Sequence, residues 1–233
     1  MDKLFKLTGF IPFILVIFLN AFVDLGHKIL IQNTVFKIYD GQAQIILTAI
    51  VNGLILLPFV LLFSPAGYLS DKHRKPLIMK ISAAIAVALT LLITLSYYRG
   101  WFQFSFALTF LLAVQSAIYS PSKYGYIKEL AGKEQLAVAN AVVQAVTIVA
   151  ILLGIFVFSV FFERGLAGVS YENEAQILQA IAPIGWILVI CSSIELMFAL
   201  RLPQHEAAAP GKHFDVIQYS SGHYLRDNLE KIL

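Results

Sequence analysis

Charge is scarce in this chain: only 13% of its 233 residues are Asp, Glu, Lys or Arg, where a soluble domain carries about 25%. Cysteine is scarcer still. The single Cys191 excludes an internal disulfide, and its expected role is that of a small buried hydrophobe. No CxxC, HExxH, P-loop, GxSxG or GxGxxG pattern occurs, so the sequence signposts no metal site, nucleotide cradle or soluble-enzyme nucleophile. The net charge of +3 is too small to imply a nucleic-acid partner for so apolar a chain. A cleaved signal peptide is not expected either: the first apolar run is too long and no small-residue cleavage site follows it.

Hydrocarbon fills the space that charge leaves. Hydrophobic residues make up 59% of the chain and mean hydropathy is +0.78. A helix needs about 20 apolar residues to cross a bilayer. Six runs approach or exceed that length: 10–36, 45–63, 81–98, 101–119, 136–162 and 177–200, here spans one to six. The expected fold class is all-α integral membrane, a six-transmembrane-helix bundle over residues 1–202. Residues 203–233 read as a cytoplasmic linker with an amphipathic helix on Tyr224, Leu225, Leu229 and Ile232. Basic residues crowd alternate connections: Lys3 and Lys6, then Lys72, Arg74, Lys75 and Lys80, then Lys128 and Lys133, then Arg201 and Lys212. The positive-inside rule puts both termini of this multi-pass chain in the cytoplasm. Pro121 is expected to end or bend span four, and Ala137, Ala141 and Ala145 to pack span five closely against a neighbour.

Span one breaks the apolar rule. It carries Asn20, Asp24, His27, Lys28 and Gln32, and an uncompensated charge in hydrocarbon costs at least about 2.5–3.5 kcal/mol. Their spacing stacks them on one helix face, opposite Phe18, Phe22, Leu25 and Ile29. Asp24 and Lys28 stand one turn apart, as an i,i+4 pair does. Two roles are open to them: stapling the bundle, or engaging a polar headgroup or coupling ion. His27 is either satisfied by a neighbouring helix or, free to titrate, a coupler of movement to protons.

Gln115, Tyr119 and Lys123 repeat the pattern in span four, at four-residue intervals. Lys123 either snorkels to the interface or attracts an anionic group such as a phosphate. Asn140, Gln144 and Thr147 give span five a matching polar line, most simply explained by hydrogen bonds between helices. Polar spans one and four are counterparts, as inverted three-helix repeats of a transporter would require. Glu195 is read as paired with a cytoplasmic lysine or close to water, and is not taken as a site.

The connection after span two reads Gly67-Tyr-Leu-Ser-Asp-Lys-His-Arg-Lys75. It resembles the G-x-x-x-D-[RK]-x-G-R-[RK] signature of the major facilitator superfamily. The resemblance implies a close helix contact at Gly67 and a conformational latch of Asp71, Lys72, Arg74 and Lys75. This copy lacks the glycine after His73 and has Pro76 where a basic residue is usual. The run QSAIYSPSKYGYIKEL, the Ala139-Asn140-Ala141 and Ala150-Ile-Leu-Leu-Gly154 segments and the Asn20-Ala-Phe-x-Asp24 core resemble the bacterial lysophospholipid transporter branch of that superfamily. Members commonly read GDN where this chain has Val23-Asp24-Leu25, so Asp24 carries over and its flanks do not.

The resemblance implies a transporter module, not an enzyme, without cofactor or metal, moving lysophospholipids across or into the inner membrane for reacylation. Asp24 and Lys123 would handle the headgroup. Substrate-binding candidates are Asn20, Asp24, His27, Lys28, Gln115, Tyr119, Lys123, Asn140 and Gln144. Six helices would be half of the usual twelve, so a fragment is expected. Membrane lipids and a second six-helix bundle or fused acyltransferase are the expected partners. Two other readings stay open: the membrane portion of a fused phospholipid acyltransferase and acyl-carrier-protein synthetase, and a facilitator half for a small polar solute.

Overall fold

The structure is a computed structural model that describes residues 2–203. The linker and amphipathic helix expected over 204–233 lie outside the described residues. Every described element is helical. Five helices are long and apolar enough to cross a membrane, and one of them, Phe102–Leu166, is two spans broken at Gly132. The six expected crossings are therefore present. Span one is Phe10–Ile38, span two Gly41–Leu61 and span three Lys75–Arg99. Spans four and five are 102–131 and 133–166. Span six runs from Glu174 to Leu200.

Local chemistry sets the breaks. Pro58 cannot donate, and three residues beyond it span two ends at Leu61 before a second helix, Phe63–Lys72, leads into the basic connection. Span three closes on Gly100, left-handed at φ 67°, with Gly100 N donating to Tyr97 O and Trp101 N to Ser96 O. That pair of bonds is a Schellman cap. Gly100 is doubly constrained, because a Cβ there would sit 2.9 Å from that of Ala175. Pro183 turns the middle of span six into a short 3-10 segment, Ala182–Ile184. Pro121 does not end span four; the helix continues through it to the break at Gly132.

Span one lies at the centre, packed against spans four, five and six, while span two is peripheral, burying only Val51 and Pro58. Spans one and five meet through glycine: a Cβ on Gly154 would lie 3.1 Å from the Phe22 carbonyl, and one on Gly26 would strike the Phe158 ring. The alanine stripe expected to pack span five does not do so. Ala137, Ala141 and Ala145 are exposed, and Ala139, Val143, Ala150, Gly154 and Phe158 make the buried line instead. Val143 and Phe158 bury more apolar area than alanine would, and Gly154 lets span one approach closely, so this line sets the rotation of the helix.

Apolar packing divides into two clusters. One holds Phe10, Phe13, Ile17, Met79, Tyr126, Ala139, Val143 and Ala199, at the end with the basic connections. The other holds Val23, Leu30, Ile31, Ile93, Leu108, Phe158, Phe162 and Leu188. Between them, at mid-depth, lie Asn20 and Asp24 of span one, Gln115 and Ser116 of span four, and Ser192 and Glu195 of span six. This is a polar layer inside an apolar bundle.

Candidate functional site

Asp24 is the hub of that layer. Ser116 Oγ donates to its Oδ2, while its Oδ1 is sealed from solvent without a hydrogen-bond partner among the described residues. Ser116 also reaches Gln115 Oε1 at 3.2 Å. Lys123, two turns further along span four, is within electrostatic reach of Asp24 and lies 4.7 Å from the centroid of the Tyr124 ring. The Tyr124 hydroxyl in turn accepts from Gln144 of span five at 3.1 Å. Spans one, four and five thus hold one negative and one positive group in a shared low-dielectric region.

Space adjoins these charges. Asp24 and Ser116 border a pocket of about 110 Å³ whose other walls include Leu25, Ile55, Phe59 and Leu112. A second cavity, about 290 Å³ and almost wholly apolar, lies between spans three and four and is lined by Leu77, Ile78, Ile81, Ile85, Ile118 and Gln115. Gln115 therefore stands where polar layer and apolar cavity meet.

His27 sits on the same helix but points elsewhere. Its Nδ1 accepts from the Tyr97 hydroxyl at 2.7 Å, and its Nε2 lies 3.2 Å from the Ser105 carbonyl and 3.1 Å from Thr109 Oγ1. An Nε2–H tautomer satisfies both ring nitrogens at once. Ser96 and Ser105 complete the network at 2.5 Å. This cluster ties span one to spans three and four and leaves the imidazole fully buried.

The remaining predicted residues scatter. Lys28 is half-buried and makes no ion pair with Asp24; the carboxylate bonds across to span four instead of along its own helix. Asn20 and Tyr119 are buried beside Asp24, and Asn140 is half-buried on span five. In the predicted latch, Gly67 makes no close contact, since a Cβ there would meet nothing within 4 Å. Asp71 and Arg74 are exposed, and Lys72 lies over the Tyr68 ring at 5.5 Å. Lys75 bridges helices, reaching Glu129 of span four at 2.5 Å. It crosses Gly125 to do so, where a Cβ would come within 2.5 Å of Lys75 Cε.

Sequence reasoning missed two elements. Glu195 is 0% exposed, far from the watery position expected of it. The signal was a carboxylate more than a turn inside span six, on a helix already polar at Ser192 and Ser193. Glu129 was the other, hidden in a helix that runs well past the end of the apolar stretch. At the opposite end, Tyr39 donates to Glu174 and Lys37 pairs with Glu163 at 2.9 Å, beside a cavity of about 630 Å³ walled by Trp101, Phe102, Phe104 and Phe106. The Glu174 hydrogen bond holds the Tyr39 phenol up to about 12.

Comparison with known proteins converges on one family. The model of the Major Facilitator Superfamily matches residues 10–215. The chain is 31% identical over 158 residues to the lysophospholipid transporter LplT of Yersinia enterocolitica, covering 66% of this chain and 36% of that protein. It is 33% identical over 122 residues to LplT of Yersinia pestis, covering 51% of this chain and 27% of that protein. It thus spans about a third of the length of the curated relatives it matches. No solved structure matches it. Membrane-length helices around a buried polar layer and a family match over most of the chain agree: this multi-pass membrane protein belongs to the major facilitator superfamily.

Proposed function

We propose that the chain is a six-helix transporter module that moves lysophospholipids across or into the bacterial inner membrane, with both termini cytoplasmic. One observation carries this reading: a buried carboxylate and a cation, Asp24 and Lys123, share a polar layer that opens beside apolar cavities. A lysophospholipid presents the complementary parts, a headgroup with an anionic phosphate and often an ammonium, and a single acyl chain. Asp24 receives the ammonium and Lys123 the phosphate, both strengthened by the low dielectric around them. The chain lies in the cavity between spans three and four, next to Gln115. The names of the Yersinia relatives support the same substrate class.

Transport by alternating access needs a second body to rock against. The face for it is available: span two and the Ala137, Ala141 and Ala145 side of span five leave small and apolar groups uncovered, as tight membrane packing requires. Gly67 and the exposed Asp71 lie in the connection that reaches that body, and Lys75–Glu129 anchors this side of the latch. The second bundle comes from the same longer polypeptide, a separate subunit or a second copy. Where the gene continues into an acyltransferase domain, the product is handed on for reacylation.

Headgroup-labelled lysophospholipid movement in proteoliposomes tests this with the protein in its natural length. Asp24→Asn and Lys123→Ala should each lower movement at least tenfold; unchanged movement in both would remove these residues from the mechanism. Competition by a sugar or amino acid but not by lysophospholipid would replace the substrate class.

A further inference from the structure

The cavity of about 630 Å³ at the end of the bundle remote from the basic connections takes no part in the reading above. Its volume lies in the ordinary range of ligand pockets, about 300–1,000 Å³, and two chemistries meet in its walls. Span four opens on Trp101-Phe-Gln-Phe-Ser-Phe106, and Trp101, Phe102, Phe104 and Phe106 all line the cavity. Tyr39, just past span one, and Glu174, at the start of span six, line it too. Gly100 and Ala175 close one side: a Cβ on Gly100 would lie 2.9 Å from that of Ala175, so glycine lets the connection after span three lie against span six.

Two simpler explanations account for part of this. Aromatic residues gather where a span meets the membrane interface, and an acidic residue favours the start of a helix. Yet Phe102 and Phe106 are half-buried at the cavity, not spread over lipid. The helix start is already capped by Asn173, whose Oδ1 accepts from Gln176 N at 3.1 Å. Glu174 instead accepts from the Tyr39 hydroxyl through Oε1, which draws the carboxylate across to span one and leaves Oε2 available.

Charge and ring geometry narrow the ligand. Glu174 is the only Asp, Glu, Lys or Arg in the walls, and it forms no ion pair among the described residues. Lys37 is taken by Glu163 at 2.9 Å, and Arg99 is exposed and outside the walls. An anion would meet a carboxylate and no compensating cation. A metal ion would need a shell of oxygens that phenyl rings cannot supply. Trp101 and Phe104 meet at 82° and Phe102 and Phe106 at 59°, so neither pair is stacked and ring faces stay uncovered. Uncovered aromatic faces beside one carboxylate suit an organic cation.

We propose that this cavity binds an organic ammonium group of the choline or ethanolamine type, with Glu174 as counter-ion and Trp101, Phe102, Phe104 and Phe106 as aromatic wall. The group can arrive on a lipid headgroup or on a free amine, since both present the same chemistry. The site is separate from Asp24 and does not rest on the lipid reading.

Equilibrium binding to the natural-length protein in maltoside micelles tests it, using radiolabelled choline, lysophosphatidylcholine and, as the headgroup without an ammonium, lysophosphatidylglycerol. Wild type is compared with a double variant, Asp24→Asn with Lys123→Ala, in which the mid-membrane charges are silent. An ammonium ligand should bind both proteins. Glu174→Gln should weaken that binding about tenfold or more, and Trp101→Leu about threefold to tenfold. Choline binding to wild type, weakened by Glu174→Gln, keeps the test sharp should the double variant fold poorly. Binding of lysophosphatidylcholine without choline supports a site for lipid headgroups, and binding of choline supports one that also takes free amines. Absence of ammonium binding, equal binding of lysophosphatidylglycerol to the double variant, or binding that neither Glu174→Gln nor Trp101→Leu weakens would each overturn the assignment. Lysophospholipid movement is not part of this readout, so its loss or survival bears on the transport reading alone.

Discussion

Two buried polar clusters sit less than a turn apart on span one and have opposite characters. Around His27 every donor meets an acceptor: Tyr97, Ser105 and Thr109 close the ring, and Ser96 extends it. Around Asp24 the network stays open, with Oδ1, the Tyr119 hydroxyl and both Glu195 oxygens lacking hydrogen-bond partners of normal geometry among the described residues. A closed network rigidifies the bundle and has nothing left to offer a ligand. An open one holds unspent binding capacity. Sequence alone treats the two as equals, a histidine and an aspartate in one apolar helix.

The comparison breaks if substitutions on its two sides behave alike. The largest expected effect is functional: Asp24→Asn should reduce lysophospholipid movement at least tenfold while changing thermal stability little, because the isosteric amide keeps the Ser116 contact and removes a buried charge. His27→Ala should do the reverse. It strands the Tyr97 hydroxyl and the Ser105 carbonyl and opens a cavity, costing about 2–4 kcal/mol in reversible unfolding. Next in size, Gly26→Val should cost about 1–3 kcal/mol by forcing Phe158 off its rotamer, loosening the packing that supports both clusters. Glu129→Gln should cost about 1 kcal/mol by releasing Lys75 at the latch, with increased protease access to the basic connection as the readout.

The smallest effect lies outside the membrane and sharpens the contrast with a surface pair. Tyr39 stands at about 12 in the folded protein against an ordinary value of 10.0, chiefly because it donates to Glu174. A raised value favours the protonated phenol, so this contribution is whole below pH 10.0 and is lost as pH rises towards about 12. Phenolate absorbance should show a late-titrating tyrosine that disappears in Tyr39→Phe, together with the alkaline loss of stability between those values.

How far the sequence could be read depended on which residues carried the signal. The spans were legible because an uncharged run near 20 residues has few other uses. Asp24 was legible because a carboxylate inside such a run needs a reason to be there. Glu195 was not, since its place near the end of span six left a cytoplasmic lysine or water as ready accounts; its depth depends on how span six packs against span one. The alanine stripe misled for a related reason. Four-residue spacing identifies a face but not what that face meets. Lys28 shows the same limit: a partner one turn away exists in sequence, yet Ser116 on another helix captured the carboxylate first.

Composition and run length by themselves determined that this chain lives in a bilayer, how many times it crosses, and that span one holds charge away from lipid, because the cost of moving ionisable groups into hydrocarbon is a property of residues and not of fold. Only the packed helices decided which of those groups are satisfied. Hydrogen-bond closure depends on distances of a few tenths of an ångström between segments remote in sequence. That placed His27 in a finished network and left Asp24 Oδ1 buried near Glu195 and Tyr119 without a hydrogen-bond partner among the described residues.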